Sequence, residues 1–79
     1  AYHSPVYVLG RKRGTQVFRP PSPEHPDDET WPGLLILRIE GRLFFANAPM
    51  LGERIQELVE AQRPAVLLLD ASAIFDIEY

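Results

Sequence analysis

Cysteine is absent from this chain, which removes any disulfide framework and every thiolate metal site. The absence suits the cytoplasm without proving it. Histidine is scarce: His3 lies near the terminus and His25 in a proline-rich stretch, and neither has a second His or Cys at ligand spacing. No apolar run approaches the roughly 20 residues needed to span a bilayer, and the longest, Ala65 to Leu69, is of strand length. The first residues show no charged region followed by an apolar core, so no signal peptide is visible. Phosphate-cradling glycine motifs are missing, both the Walker spacing and G-x-G-x-x-G. Ser4, Ser22 and Ser72 lack the strand-turn-helix elbow and paired histidine of a serine nucleophile. A large excess of positive charge is also missing: the formal net charge is −3, which argues against a general nucleic-acid binder.

What is present fits one domain, or part of one. A chain of 79 residues buries only about 60% of its unfolded surface, so its stability is marginal. The apolar fraction of 46% is too high for a disordered tail. Charge is segregated. Arg11, Lys12, Arg13 and Arg19 occur before the first acid, Glu24, and Asp27, Asp28 and Glu29 then follow closely. Two solvated surfaces that balance each other is one reading; a basic strip facing anionic lipid headgroups is the other.

Pro5 to Leu9 contains a run of β-formers ended by Gly10 and predicts a first strand. Arg11 to Gly14 is a basic turn, and Thr15 to Arg19 a second short extended piece. Pro20 to Pro32 holds five of the eight prolines and predicts a loop, partly polyproline-like, either functional or mobile or a tolerated surface insertion. Trp31 precedes a Pro-Gly turn and is expected to cover a core edge. Leu34 to Glu40 is the central strand, apolar on both faces at its start. Gly41-Arg42 then turns the chain into a short strand, Leu43 to Ala46. Asn47 is a good N-cap and Pro49 suits a first helical turn. Leu51, Ile55, Leu58 and Val59 make one apolar stripe, so a helix is expected from about Ala48 to Gln62, stopped by Pro64. Ala65 to Leu69 is another buried strand ending at Asp70. Ala71 to Tyr79 is expected to be a loop leading into a further helix. A strand-helix-strand order points to an α/β or mixed-sheet fold with helices on a face.

Little in this pattern is catalytic. Asp70, Asp76 and Glu78 cluster near a strand end, where α/β proteins often place sites. Three carboxylates can hold a divalent cation, or cap the following helix at its positive end. A small metal-dependent hydrolase using these three is therefore one function class, and an interaction module without chemistry is another.

Three blocks carry a family resemblance. YVLGRKRGTQVFR (Tyr7 to Arg19), PGLLILRIEGRLFFANA (Pro32 to Ala48) and AVLLLDASAIFDIEY (Ala65 to Tyr79) together resemble, in order and spacing, the STAS domain (sulfate transporter and anti-sigma factor antagonist) of bacterial SulP-type anion permeases. The resemblance implies an α/β, STAS-like mixed β-sheet with helices packed on it, truncated before the C-terminal helices; residues 1–79 would be a partial STAS domain lacking a helix, a strand and a helix. An exposed apolar face or strand edge is then expected unless something fills it.

The implied role is regulation or interaction in a secondary transporter of sulfate- or bicarbonate-like anions, at the cytoplasmic face of the inner (plasma) membrane. No enzyme activity, cofactor or metal is implied. The implied partner is the transmembrane domain of the same transporter. The family also leaves open a nucleotide, an acyl carrier protein or a second copy of the chain. The candidate interaction and regulatory positions are Asn47, Ala48, Pro49, Asp70, Ser72, Asp76 and Glu78, with the two segments expected at one end of the sheet. In anti-sigma factor antagonists an aspartate precedes a regulatory phosphoserine. Asp76 matches that aspartate, whereas Ile77 and Glu78 stand where the hydroxyl residues would be, so the switch is not available there. A free-standing antagonist-like STAS protein is the alternative reading.

Overall fold

The computed structural model describes residues 5–44 and 48–78. At its centre lies β4 (Leu34–Ile39), with β1 (Val6–Val8) antiparallel on one side and β6 (Val66–Asp70) parallel on the other. The entry to β4 is a turn in which Leu34 N–H donates to the Trp31 carbonyl at 3.1 Å. Pro32 and Gly33 are its central residues, and Gly33 takes φ +80°, the left-handed conformation that glycine adopts without a Cβ clash. The Gly33 carbonyl then accepts from Ala65 and Val66 N–H at 2.8 and 2.9 Å, which sets the start of β6 beside the start of β4.

The parallel β4/β6 pair requires a crossover, and α1 (Ala48–Gln62) supplies it. Side chains alternate along a strand. Leu35, Leu37 and Ile39 therefore share one face with Val6, and Leu51 and Leu58 of α1 close over them; Ile55 and Val59 pack at the margin. The expected apolar stripe of the helix is thus the stripe that packs. Leu37 is fully enclosed. The helix ends where Arg63 adopts φ +47°, its N–H bonded to the Val59 carbonyl, and Pro64 follows.

On the opposite face of the sheet Leu9 and Ile36 are buried. A two-stranded ribbon, β2 (Gly10–Arg11) and β3 (Phe18–Arg19), lies near them. The proline segment is pinned to this ribbon. Arg11 and Glu29 exchange backbone hydrogen bonds at 2.9 and 2.7 Å, and the Arg19 guanidinium grips both oxygens of Asp28 at 2.7 Å. A Cβ on Gly10 would meet the Glu29 carbonyl oxygen at 3.0 Å, so the close approach needs glycine there. The segment is accordingly pinned along the ribbon's edge, and two of the four clustered basic residues are paired by it.

Two expectations are corrected. Gly41 and Arg42, expected as the turn before a strand from Leu43, are themselves the first residues of that strand. Gly41, at φ +100°, redirects the chain into β5 (Gly41–Phe44), and residues 45–47 lie outside the described residues. The segment after Asp70 is not a loop running into a helix. A turn closed by Ile74 N–H on the Ala71 carbonyl at 3.1 Å leads into β7 (Ile74–Glu78), which pairs parallel with β5. The sequence Ile74-Phe75-Asp76-Ile77 is rich in β-formers, and the edge of β5 offers them a ladder. That pairing overrides the helix-approach reading of the carboxylates.

Candidate interaction surface

Asp70 ends β6 directly beside Arg38 in the parallel register. An arginine in an apolar strand needs a counter-charge when water is partly excluded, and Arg38 finds three acceptors. Its Nε donates to Asp70 Oδ2 at 3.3 Å, its Nη2 donates to the Phe18 carbonyl at 3.1 Å, and its Nη1 lies 3.7 Å from Glu40. The other oxygen of Asp70 is held by Ser72, whose hydroxyl donates at 2.6 Å and whose N–H donates at 2.9 Å. The Ser72 hydroxyl, then its N–H, and behind them Arg38, hold the Asp70 carboxyl below its ordinary range.

The junction between β6 and β7 is therefore a built turn with an exposed hydroxyl. Beside it a groove of about 370 Å³ runs over the sheet face, floored by Ile36 and Leu68 and walled by Leu9 and Phe18. A larger cavity of about 610 Å³ lies at the other end of β4, between Trp31, Pro32 and Leu34 on one side and Gln62 and Pro64 on the other. Trp31 is half-buried at its rim, with the Arg11 guanidinium 5.1 Å from the ring centroid.

Of the seven positions singled out in the sequence, Asp70 and Ser72 are brought into direct contact. Asp76 and Glu78 lie farther along β7, in register with Arg42 and Phe44. Ala48 and Pro49 are exposed in the first turn of α1. Asn47 lies outside the described residues. Among the described residues no three carboxylate or imidazole side chains converge as a cation site. Sequence reasoning missed Arg38. Its signal was a lone cation inside LLILRI with an aspartate closing the next apolar strand, VLLLD.

The strand expected to be buried, Ala65 to Leu69, is instead exposed, and it supplies the open apolar edge that a partial domain was expected to leave. Val66, Leu67, Leu68 and Leu69 are 57%, 37%, 47% and 48% exposed, on a strand that forms the edge of its sheet.

Residues 25–79 match the family model of the STAS domain. The chain belongs to the STAS family. Its mixed sheet with one helix packed on it is the α/β arrangement expected. Sulfate transporter 1.3 of Arabidopsis thaliana is 33% identical over 81 residues, covering 90% of this chain and 12% of that protein. High affinity sulfate transporter 2 of Stylosanthes hamata is 31% identical over 81 residues, again 90% of this chain and 12% of the relative. Probable sulfate transporter 4.2 of Arabidopsis thaliana is 36% identical over 52 residues, 66% of this chain and 8% of the relative. This STAS domain thus spans only a small share of the length of the transporters it matches. Among the described residues no helix is long and apolar enough to cross a membrane.

Proposed function

We propose that this STAS domain is the regulatory and interaction module of a SulP-type secondary anion transporter, carried on the cytoplasmic face of the membrane and acting without chemistry of its own. The observation that carries the reading is its similarity to sulfate transporters over 90% of the chain. The transmembrane part of the same protein is the partner, and sulfate or a bicarbonate-like anion the cargo. The contact surface combines the Asp70–Ser72 junction with the start of α1 at Ala48 and Pro49. The apolar edge Val66–Leu69 is covered by a further helix, strand and helix of the same domain, because an unguarded apolar edge strand is otherwise a template for aggregation.

A free-standing antagonist of an anti-sigma factor is the second reading. It is weaker because Ile77 and Glu78 stand where its phosphorylated residue would be.

The test begins with the parent reading frame. Ten or more apolar spans beside this segment, with uptake of labelled sulfate or bicarbonate that falls in Asp70→Asn at unchanged membrane abundance, are expected. A parent frame without membrane spans overturns the reading.

A further inference from the structure

Two arginines of this domain meet two aspartates with the same atoms and reach different arrangements. Arg19 uses Nε and Nη2 as a fork on both oxygens of Asp28, each at 2.7 Å. Arg38 also directs Nε at its aspartate, but only at 3.3 Å. Its Nη2 goes to the Phe18 carbonyl at 3.1 Å instead. The difference lies in the second carboxylate oxygen: on Asp70 it is occupied by the hydroxyl and N–H of Ser72.

We infer that Ser72 is the trigger of a two-position coupling between the β6–β7 junction and the β2–β3 ribbon. While Ser72 holds Asp70 Oδ1, the Arg38 Nη2 ties Phe18, on β3, to the central strand. When a partner draws Ser72 away, Oδ1 is left with unpaired charge. The Arg38 fork then closes on both oxygens, as Arg19 does on Asp28, since the bidentate charge-assisted pair is the stronger arrangement. Nη2 leaves the Phe18 carbonyl, and the ribbon loses its polar tie to β4. The ribbon carries Arg11, which stacks on Trp31 and bridges to Glu29, so loosening it reaches the proline segment. Both positions are discrete hydrogen-bond arrangements of one guanidinium, which is what a switch requires.

The inference deepens the reading of the junction as a contact surface. Its test needs no partner, so the two readings fail separately. Ser72→Pro removes both donors at once. Position 72 is the second residue of the turn closed by Ile74 N–H on the Ala71 carbonyl, where proline is favoured. In the folded variant the carbonyl carbon of selectively labelled Phe18 is expected to shift toward the value of a carbonyl that has lost a hydrogen bond. Exchange of the Lys12 amide, bonded to the Val17 carbonyl within the ribbon, is expected to quicken about three- to tenfold. In an Arg38→Lys background, whose single nitrogen cannot fork, Ser72→Pro is expected to add nothing. Should Ser72→Pro not fold, Ser72→Ala decides: it keeps the N–H donor and gives a smaller change in the same direction. An unmoved Phe18 carbonyl with unchanged Lys12 exchange in a folded variant overturns the coupling.

Discussion

Asp28 and Asp70 illustrate how a carboxylate can be stabilised by different donors with the same consequence for pH. The Arg19 guanidinium holds Asp28 below its ordinary range, chiefly by direct hydrogen bonding. Asp70 is held low first by the Ser72 hydroxyl and backbone N–H and then by Arg38. Both folded values lie below the unfolded carboxylate value of about 3.9. The unfolded chain therefore binds more protons in that interval, and the stability these groups supply is complete above it. That stability is lost as pH falls below about 4 and through the lower folded values. A thermal melt followed from pH 6 to pH 2 is expected to hold its midpoint to near pH 4 and then fall. Asp28→Asn is expected to remove part of that fall, whereas an identical acid limb in Asp28→Asn and the parent contradicts the assignment. In the core, Leu37 is 0% exposed, and Leu37→Ala is expected to lower the unfolding free energy by about 2–5 kcal/mol, read from urea denaturation.

The elements differ in how far local sequence determined them. Helix α1 runs Ala48–Gln62, as the stripe of Leu51, Ile55, Leu58 and Val59 and the stop at Pro64 had implied, because each signal acts within a turn or two of itself. The Pro32-Gly33 turn and the strand after it were legible for the same reason. Strand β7 was not, since its ladder lies on β5, and only that remote partner decides between strand and helix approach for Ile74 to Glu78. The proline segment reads as a loop because proline removes donors, yet Glu29 still has both backbone groups and pairs with Arg11 across 18 positions. The proposed contact surface was half legible: Asp70 and Ser72 stood out as polar residues after an apolar strand, but the Arg38–Asp70 pair depends on parallel register. One local feature yields a prediction. Arg63 holds φ +47° at the helix C-terminus, where glycine is the usual residue. The left-handed conformation costs a side-chain-bearing residue about 1–2 kcal/mol, and glycine's greater unfolded freedom gives back roughly half. Arg63→Gly is expected to raise stability by about 0.5 kcal/mol, or about 2–4 °C in the melting midpoint; a lowered midpoint contradicts the strain assigned to this residue.

At the scale of the whole molecule, the surface is larger than the mass requires. A self-contained domain of 9.0 kDa exposes about 4,900 Å², whereas this chain exposes 5,831 Å². Its radius of gyration is 13.4 Å, against about 11.6 Å for a compact chain of this length. Part of the exposed surface is Val66–Leu69, where four consecutive apolar residues on an edge strand stand more than a third exposed. A residue's truncation cost depends on how completely its surroundings enclose it, so the same substitution can report whether that edge is covered. In the 79-residue chain Leu68→Ala is expected to cost less than about 1 kcal/mol, because the side chain is 47% exposed. In a longer chain that carries the proposed covering helix, strand and helix, the same change is expected to cost about 2–5 kcal/mol. Leu37→Ala serves as the control, costing the same in both because its enclosure by β1, β4 and α1 is already complete. Urea denaturation of the two lengths, each with the two substitutions, reads the comparison. Equal small costs of Leu68→Ala at both lengths would show that the added polypeptide leaves β6 open, and the edge would then remain available to a separate chain.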